Sequence, residues 1–530
     1  MRLSTIAAAS LLTAASSASI AQRAPADTNW RRGGVCYEIF VRSFYDSNGD
    51  GIGDLDGLTQ KLDYVSRLGA RCVWLMPVAE SPSYHGYDVS NYYKVEPDYG
   101  TNEDFRRFVT EAHRRGIKVL VDMVLNHASS EHPYFQAALR DTASPYRSWF
   151  RFSSVKPEQK GPWGQEVWHK SPVRDEYYYG VFWSGMPDLN YDTPAVREEA
   201  RKVARFWVDS MGVDGFRLDA VPYLVEDSTG LAGTKGTHDV LREYGSYVRS
   251  IAPRSFTVGE VWDSVGAMLP YYPDQLDSYF AFELSDALIN AVRSGIARGM
   301  LDGYVRLQDT MPATRWSPFL RNHDQTRTMT ELKGDVAKAK LAATLLLTLP
   351  GVPFVYYGEE IGMTGDKPDE RLRTPMQWSA TSAGFTRGKP WEAEQADTLT
   401  VNVQAEEDSP TSLLNLYRRL IPLRAQNEAL ADGRVIPLTA TSDAVVAYVR
   451  RSPRRAVIVI ANLGDEPASA VMVSGPARTL PSGSYSAPSL LSAQAARILM
   501  VGRDGAIRSW LPFGQIGPKQ AYVLELVPEH

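Results

Sequence analysis

The run GFRLDA, Gly215 to Ala220, decides the fold. Gly215 to Leu218 is short, apolar apart from Arg217, and followed by loop chemistry around Pro222, so it reads as a buried strand. The strand closes on Asp219. A carboxylate at the C-terminal end of a buried strand is costly unless it is solvated, paired or used. Two more runs close the same way, TVGEVW on Glu260 and FLRNHDQTR on Asp324. Three such strand ends from βα units would converge at one end of a parallel barrel, where barrel enzymes carry their chemistry.

One strand-end carboxylate alone has an ordinary explanation, since Asp readily caps helices. Here the acids have company. Arg217 lies two residues before Asp219 on the same strand face, and His323 directly precedes Asp324. An Arg beside a carboxylate keeps it ionised at neutral pH, which suits a nucleophile and a structural salt bridge alike. Three unrelated caps do not account for the combination.

The motifs around these runs resemble the α-amylase family of glycoside hydrolases, glycoside hydrolase family 13. DMVLNH (Asp122 to His127), GFRLDA, GEVW (Gly259 to Trp262) and FLRNHD (Phe319 to Asp324) match its four signatures in family order. MPDLN (Met186 to Asn190) matches a short signature near the end of an inserted domain, and GVPFVYYGEEIG (Gly351 to Gly362) matches the eighth strand. The resemblance implies an α/β fold: a (β/α)8 TIM barrel with an inserted domain after strand three and a C-terminal antiparallel β-sandwich.

The apolar runs place the strands at Val35–Phe40, Cys72–Met76, Val119–Met123, Phe216–Leu218, Phe256–Val258, Tyr279–Phe282, Pro318–Leu320 and Val352–Tyr357. Helical patterns at Asn102–Arg115 and Pro194–Met211 fall between them, the alternation of βα units. Residues 128–190 are too long and irregular for a βα loop and read as the inserted domain. That divides the barrel into residues 22–127 and 191–430. Ser412–Gln426 reads as a closing helix, and residues 431–530 turn to short alternating strands.

A chain of 530 residues has room for all of this, and its net charge of −5 gives no reason to propose a nucleic acid or membrane partner. A monomer is expected. Residues 1–21 read as a secretory signal peptide, with Arg2, a leucine and small-residue stretch, and Ser19-Ile20-Ala21 as cleavage site, so secretion to a periplasm or the medium is expected. The stretch is too short and too rich in Ser and Thr for a membrane anchor. The two cysteines, Cys36 and Cys72, both fall on barrel strands. Export permits a disulfide, but two buried thiols are the expectation.

Hydrolysis of a glycoside needs one carboxylate to attack the anomeric carbon and one carboxylic acid to protonate the leaving oxygen. The resemblance implies Asp219 as nucleophile, Glu260 as acid and base, and Asp324 as the group that holds the sugar hydroxyls of a distorted ring. Val258, Val261 and Trp262 flank Glu260 with apolar surface that would raise its pKa, as an acid requires, while Arg217 would keep that of Asp219 low. Tyr87 resembles the aromatic that stacks on this sugar, with His85, His127 and His323 around it. Asp369 and Arg373 resemble the pair gripping its far edge.

Asp46, Asn48, Asp50, Ile52 (by its carbonyl) and Asp54 alternate with glycines in the spacing of a calcium loop. Position twelve of an EF-hand would be Gly57, so the completing Glu is absent. Oligosaccharide-cleaving family members bind calcium in a matching loop, so one structural Ca²⁺ is the cofactor expected. The chain also departs from pattern. Many starch-degrading members carry Lys-His where Pro222-Tyr223 stands, residues that contact the leaving-group sugar and help build a second calcium site near Asn126. That departure leaves the second calcium site open.

MPDLN mixes the neopullulanase and oligo-1,6-glucosidase forms, and Ala220 after the nucleophile favours α-1,4 linkages. RTPMQW and SAGF instead resemble α-glucosidases and trehalose synthases. The reading is therefore an α-amylase acting on α-glucans and maltooligosaccharides. An exo-acting α-glucosidase or oligo-1,6-glucosidase and a transglycosylase or trehalose synthase stand as alternatives. A non-catalytic amylase-fold scaffold is disfavoured by the intact acids.

Overall fold

The structure, a computed structural model, describes residues 30–529, so the expected signal peptide lies outside the described residues. Seven parallel strands pair in the order sixth, fifth, fourth, third, second, first, eighth: Ser278–Tyr279, Phe256–Gly259, Gly215–Leu218, Lys118–Met123, Cys72–Leu75, Cys36–Ile39 and Phe354–Tyr356. The expected seventh strand is not a regular one. Pro318 has no N–H to give a ladder, and residues 316–320 are held by isolated bonds instead. Ser317 N–H donates to the Tyr279 carbonyl (2.8 Å) on one side, and Val352 and Phe354 N–H donate to Trp316 and Pro318 carbonyls (2.9 Å each) on the other. These bonds close the barrel.

Alternation along each strand decides what fills it. Cys36, Cys72, Trp74, Leu120, Phe256, Val258, Phe280, Phe319, Val352 and Phe354 form one buried cluster within the barrel, while neighbours such as Tyr37, Val73 and Val119 join the core under the helices. One pleat further along, the inward places hold charge: Glu38, Asp122 and Arg217. Asp122 and Arg217 are direct cross-strand partners. Gly215 opens the fourth strand because nothing larger fits. A Cβ there would lie 1.9 Å from the Phe256 carbonyl oxygen.

Cys36 and Cys72 form a disulfide, correcting the expectation of two free thiols. The register explains it, because the two residues are direct partners on the paired first and second strands.

Helix Asn102–Arg114 begins in a capping box, Thr101 with Asp104, and buries Phe105, Phe108, Val109 and Ala112 on one face. Pro194–Arg205 continues into a wide-turned segment, Phe206–Ser210. Between the third and fourth strands the chain forms helix Pro133–Arg140 and a small antiparallel sheet of Phe152–Ser153, Tyr177–Tyr179 and Trp168–Lys170. It returns to the barrel top where Asp188 bridges His127 and Leu189 N–H donates to the Asn126 carbonyl at 2.9 Å. From Arg434 onward nine antiparallel strands run in one continuous ladder that folds over a single core, with Ile458, Ile460 and Leu524 from one half against Tyr485, Leu499 and Trp510 from the other. No helix among the described residues is long and apolar enough to cross a membrane.

Candidate active site

The C-terminal ends of the strands open into a cleft of about 660 Å³ that Asp219, Glu260, Asp324, Tyr87, His85, His127, Asp369 and Arg373 all line. Arg217 lies directly beneath, 1% exposed. Its fork organises the acids. Nη1 donates to Asp219 Oδ1 at 2.7 Å and to both oxygens of Asp122 at 2.8 Å, and Nη2 lies 2.8 Å from Glu260 Oε2. The guanidinium is sandwiched by rings, 5.1 Å from Trp74 and 5.7 Å from Tyr87. Planar, bidentate and permanently charged, Arg suits this place as Lys would not. Glu260 Oε2 also accepts the Ala220 N–H at 3.0 Å, and Ala220 takes a left-handed conformation (φ 46°) to present it.

A second polar set holds the other side. His323 is wholly buried, with Nδ1 2.5 Å from Glu38 Oε1 and Nε2 2.6 Å from the Tyr87 hydroxyl and 3.1 Å from Asp324 Oδ2. Its ring stacks on Tyr87, centroids 5.6 Å apart. Arg373 Nη2 donates to Asp324 Oδ1 at 2.8 Å and lies 3.6 Å from Asp369 Oδ2, and its Nη1 donates to the Tyr84 hydroxyl at 3.3 Å. Asp369 also pairs with Lys367. His127 Nε2 meets the Tyr87 carbonyl at 3.1 Å, and His85 Nδ1 accepts the Tyr87 N–H at 3.1 Å. Of the expected substrate residues, His85, His127, Arg217 and His323 thus contact Tyr87, while Arg373 and Asp369 gather on the Asp324 side.

The protonation pattern follows from burial and neighbours. Burial pushes Glu260 up, against the pull of Arg217, with Asp219 and Asp324 adding to the rise. Asp219 was expected low. Burial outweighs Arg217 and, with Asp324 adding to it, leaves Asp219 above the ordinary Asp value, which corrects that expectation. Asp122, deeper still, is pushed up to about 7 by burial. Burial works against charge on His323, yet Asp324 and Glu38 carry it up to about 9. Burial also disfavours charge on Asp324, but His323 and Arg373 hold it well below the carboxylate range. Burial takes His127 down to about 4. Asp122, Asp219 and Glu260 all face the single Arg217 guanidinium, and Glu260, raised by burial at the edge of the cleft, is the acid placed to hold a proton.

Glu38, Asp122 and Tyr84 were not read as site residues. For the two acids a signal existed, a single charge inside an otherwise apolar strand run.

The loop from Asp46 to Asp54, where calcium was expected, is separate from the cleft, and none of its residues lines it. Asp46 accepts N–H bonds from Asn48, Gly49 and Gly51 (3.0, 2.7 and 2.8 Å), Asn48 accepts from Asp50 and Asp50 from Ile52 (2.8 Å each), and Asp54 accepts from Ser47 and Gly57 (2.9 and 2.6 Å). These nested turns curl an all-oxygen donor set, the class calcium takes, so the residues fit such an ion. Among the described residues no three His, Cys, Asp or Glu side chains group as a metal site, so a bound ion here would draw in part on Asn48 and the Ile52 carbonyl.

Residues 38–433 match the family described as "Alpha amylase, catalytic domain". Alpha-amylase 3 of Dictyoglomus thermophilum is 40% identical over 442 residues, covering 82% of this chain and 85% of its own. A trehalose synthase/amylase of Mycolicibacterium smegmatis is 36% identical over 494 residues, covering 82% and 83%. Among solved structures, the alpha-amylase from H. orenii superposes with a TM-score of 0.79 at 37% identity, covering 94% of this chain and 100% of that one. The chain belongs to the alpha-amylase family of glycoside hydrolases, glycoside hydrolase family 13.

Proposed function

We propose that the enzyme is an α-amylase that hydrolyses α-1,4 bonds of starch-type glucans and maltooligosaccharides with retention of configuration. The observation that carries this reading is the single Arg217 fork that holds Asp219 and Glu260 side by side at the cleft floor. Carboxylates on one fork are close neighbours, which favours the retaining separation of roughly 5–5.5 Å over the roughly 6.5–9.5 Å of inverting enzymes. Glu260, raised by burial, protonates the glycosidic oxygen while Asp219 attacks the anomeric carbon. Water, deprotonated by the same Glu260, then displaces Asp219. Asp324, fixed by Arg373 and His323, takes the hydroxyls of the reacting ring, and Tyr87 takes its face.

The relatives' names support both halves of the sequence reading, amylase and trehalose synthase/amylase. Products from maltoheptaose and soluble starch, followed over time, separate them. A spread of mid-length maltooligosaccharides supports the α-amylase. Glucose from the outset would move the activity to an α-glucosidase, and trehalose formed from maltose to an isomerase. One structural calcium is proposed for Asp46, Asn48, Asp50, the Ile52 carbonyl and Asp54, where it would order the loop and take no part in the reaction. Secretion is proposed from residues 1–21 and is checked by N-terminal sequencing of the protein recovered outside the cytoplasm.

A further inference from the structure

Loop 46–54 and segment 385–391 lie against each other backbone to backbone. Asp46 N–H donates to the Phe385 carbonyl at 3.0 Å, and Trp391 N–H donates to the Gly51 carbonyl at 2.9 Å. The Thr386 hydroxyl donates to the Asp46 carboxylate, and Arg387 donates to the Ser47 carbonyl at 3.1 Å. Glycine marks the closest approaches. A Cβ on Gly51 would lie 1.9 Å from the Lys389 carbonyl oxygen, and one on Gly388 would lie 2.3 Å from that of Gly49. Contact this close carries a shift of the loop into the segment.

Trp391 ends that segment, and none of Trp391, Ser43 and Tyr84 lines the cleft. Two routes nevertheless lead from Trp391 to one cleft residue. Its ring stacks on Tyr84, with centroids 5.2 Å and planes 26° apart, and the Tyr84 hydroxyl accepts from Arg373 Nη1 at 3.3 Å. Its indole N–H donates to the Ser43 hydroxyl at 3.0 Å, and that hydroxyl donates to the Arg373 carbonyl. Arg373 is thus placed through Trp391 at both its guanidinium and its backbone. Its Nη2 in turn donates to Asp324 Oδ1 at 2.8 Å. Ser43 and Arg373 are buried, so no solvent layer interrupts the second route.

We propose that Trp391 is a positioning residue that couples loop 46–54 to Asp324, so that a divalent cation in the loop and a sugar in the cleft each tighten the binding of the other. This rests on two readings given above, calcium in the loop and Asp324 on the ring hydroxyls. An ordered loop fixes the Gly51 carbonyl, and with it Trp391 and the arginine that aims Asp324. A sugar that engages Asp324 orders the same contacts from the other end. Whichever ligand binds second meets contacts already ordered and loses less entropy on binding. Such coupling is reciprocal, so the factor is the same in both directions.

Isothermal titration calorimetry of the chelator-treated, full-length enzyme tests this. Calcium is titrated with and without saturating acarbose, an oligosaccharide mimic, and acarbose with and without calcium. Wild type is expected to bind each about tenfold more tightly when the other is present. Trp391→Ala removes the ring and its N–H but keeps the backbone bond to Gly51. Calcium should therefore still bind, while both factors fall to about one. Trp391→Phe keeps a ring on Tyr84 and should restore most of the coupling. A merely structural tryptophan would shift Tm in these variants and leave the factors alone. Equal calcium affinities with and without acarbose in wild type, or a full factor in Trp391→Ala, would overturn the coupling and leave both underlying readings standing. Wild type that binds no calcium, or no acarbose under either condition, would overturn the proposal together with the reading of that site.

Discussion

Arg217 and Asp122 form an ion pair with side chains 1% and 0% exposed, Nη1 lying 2.8 Å from both carboxylate oxygens. The pair is the foundation of the site. It fixes the guanidinium whose remaining reach holds Asp219 and Glu260, so positions of the two reacting groups depend on a contact neither makes.

Arg217→Lys keeps a charge but has no fork to span two acids. Its kcat is expected to fall by about two orders of magnitude, the scale of losing one preorganised electrostatic contact. Arg217→Ala leaves Asp122 buried without its partner and should destabilise by about 3–5 kcal/mol. Steady-state kinetics and thermal melts check both, and a Lys variant with near-wild-type kcat would show that the fork is dispensable.

Gly215→Ala should be far worse than an ordinary surface change. The added Cβ meets the Phe256 carbonyl oxygen, a backbone atom of the strand that carries Glu260, so neither side can yield without shifting an acid. Soluble yield and Tm should both drop steeply. An unchanged Tm would mean the two strands are not packed as described.

Glu359 is buried with Tyr417 and Thr328 hydroxyls at 2.8 and 3.0 Å, and burial raises its pKa to about 8. The sign follows from linkage. The folded protein keeps this acid neutral up to about pH 8, whereas the unfolded chain ionises it near pH 4.3, so stability is full below that value and lost as pH rises toward 8. Glu359→Gln has no proton to lose. Its Tm relative to wild type should therefore improve from pH 5 to pH 8, and a difference constant across that range would contradict the neutral acid.

Chelation tests the calcium loop. EDTA is expected to lower Tm and excess Ca²⁺ to restore it, while Asp50→Ala, with its exposed side chain, should remove the response without unfolding the protein. Identical melts with and without chelator would leave the loop as a self-bonded turn.

Much of this architecture was legible because strand-end acids are conspicuous. Asp219, Glu260 and Asp324 each stop an apolar run, and each lines the cleft. What the sequence hid is lateral. The Cys36–Cys72 bond and the Asp122–Arg217 pair both depend on cross-strand register, which a linear pattern does not contain. Pro318 spoils the seventh strand as a ladder although its flanks still bond both neighbours. The level of Asp219 differs from the expectation because a linear pattern shows Arg217 nearby but shows neither the burial that outweighs it nor the approach of Asp324.

The most direct test is covalent trapping. A fluorinated α-glucosyl fluoride, which forms the glycosyl-enzyme quickly and loses it slowly, would be incubated with the enzyme and the product examined by intact mass and peptide mapping. The expected result is one glucosyl adduct per chain, on Asp219, absent in Asp219→Asn. An adduct on another carboxylate, or no adduct together with initial release of the inverted anomer from maltooligosaccharides, would contradict the assignment of Asp219 as nucleophile.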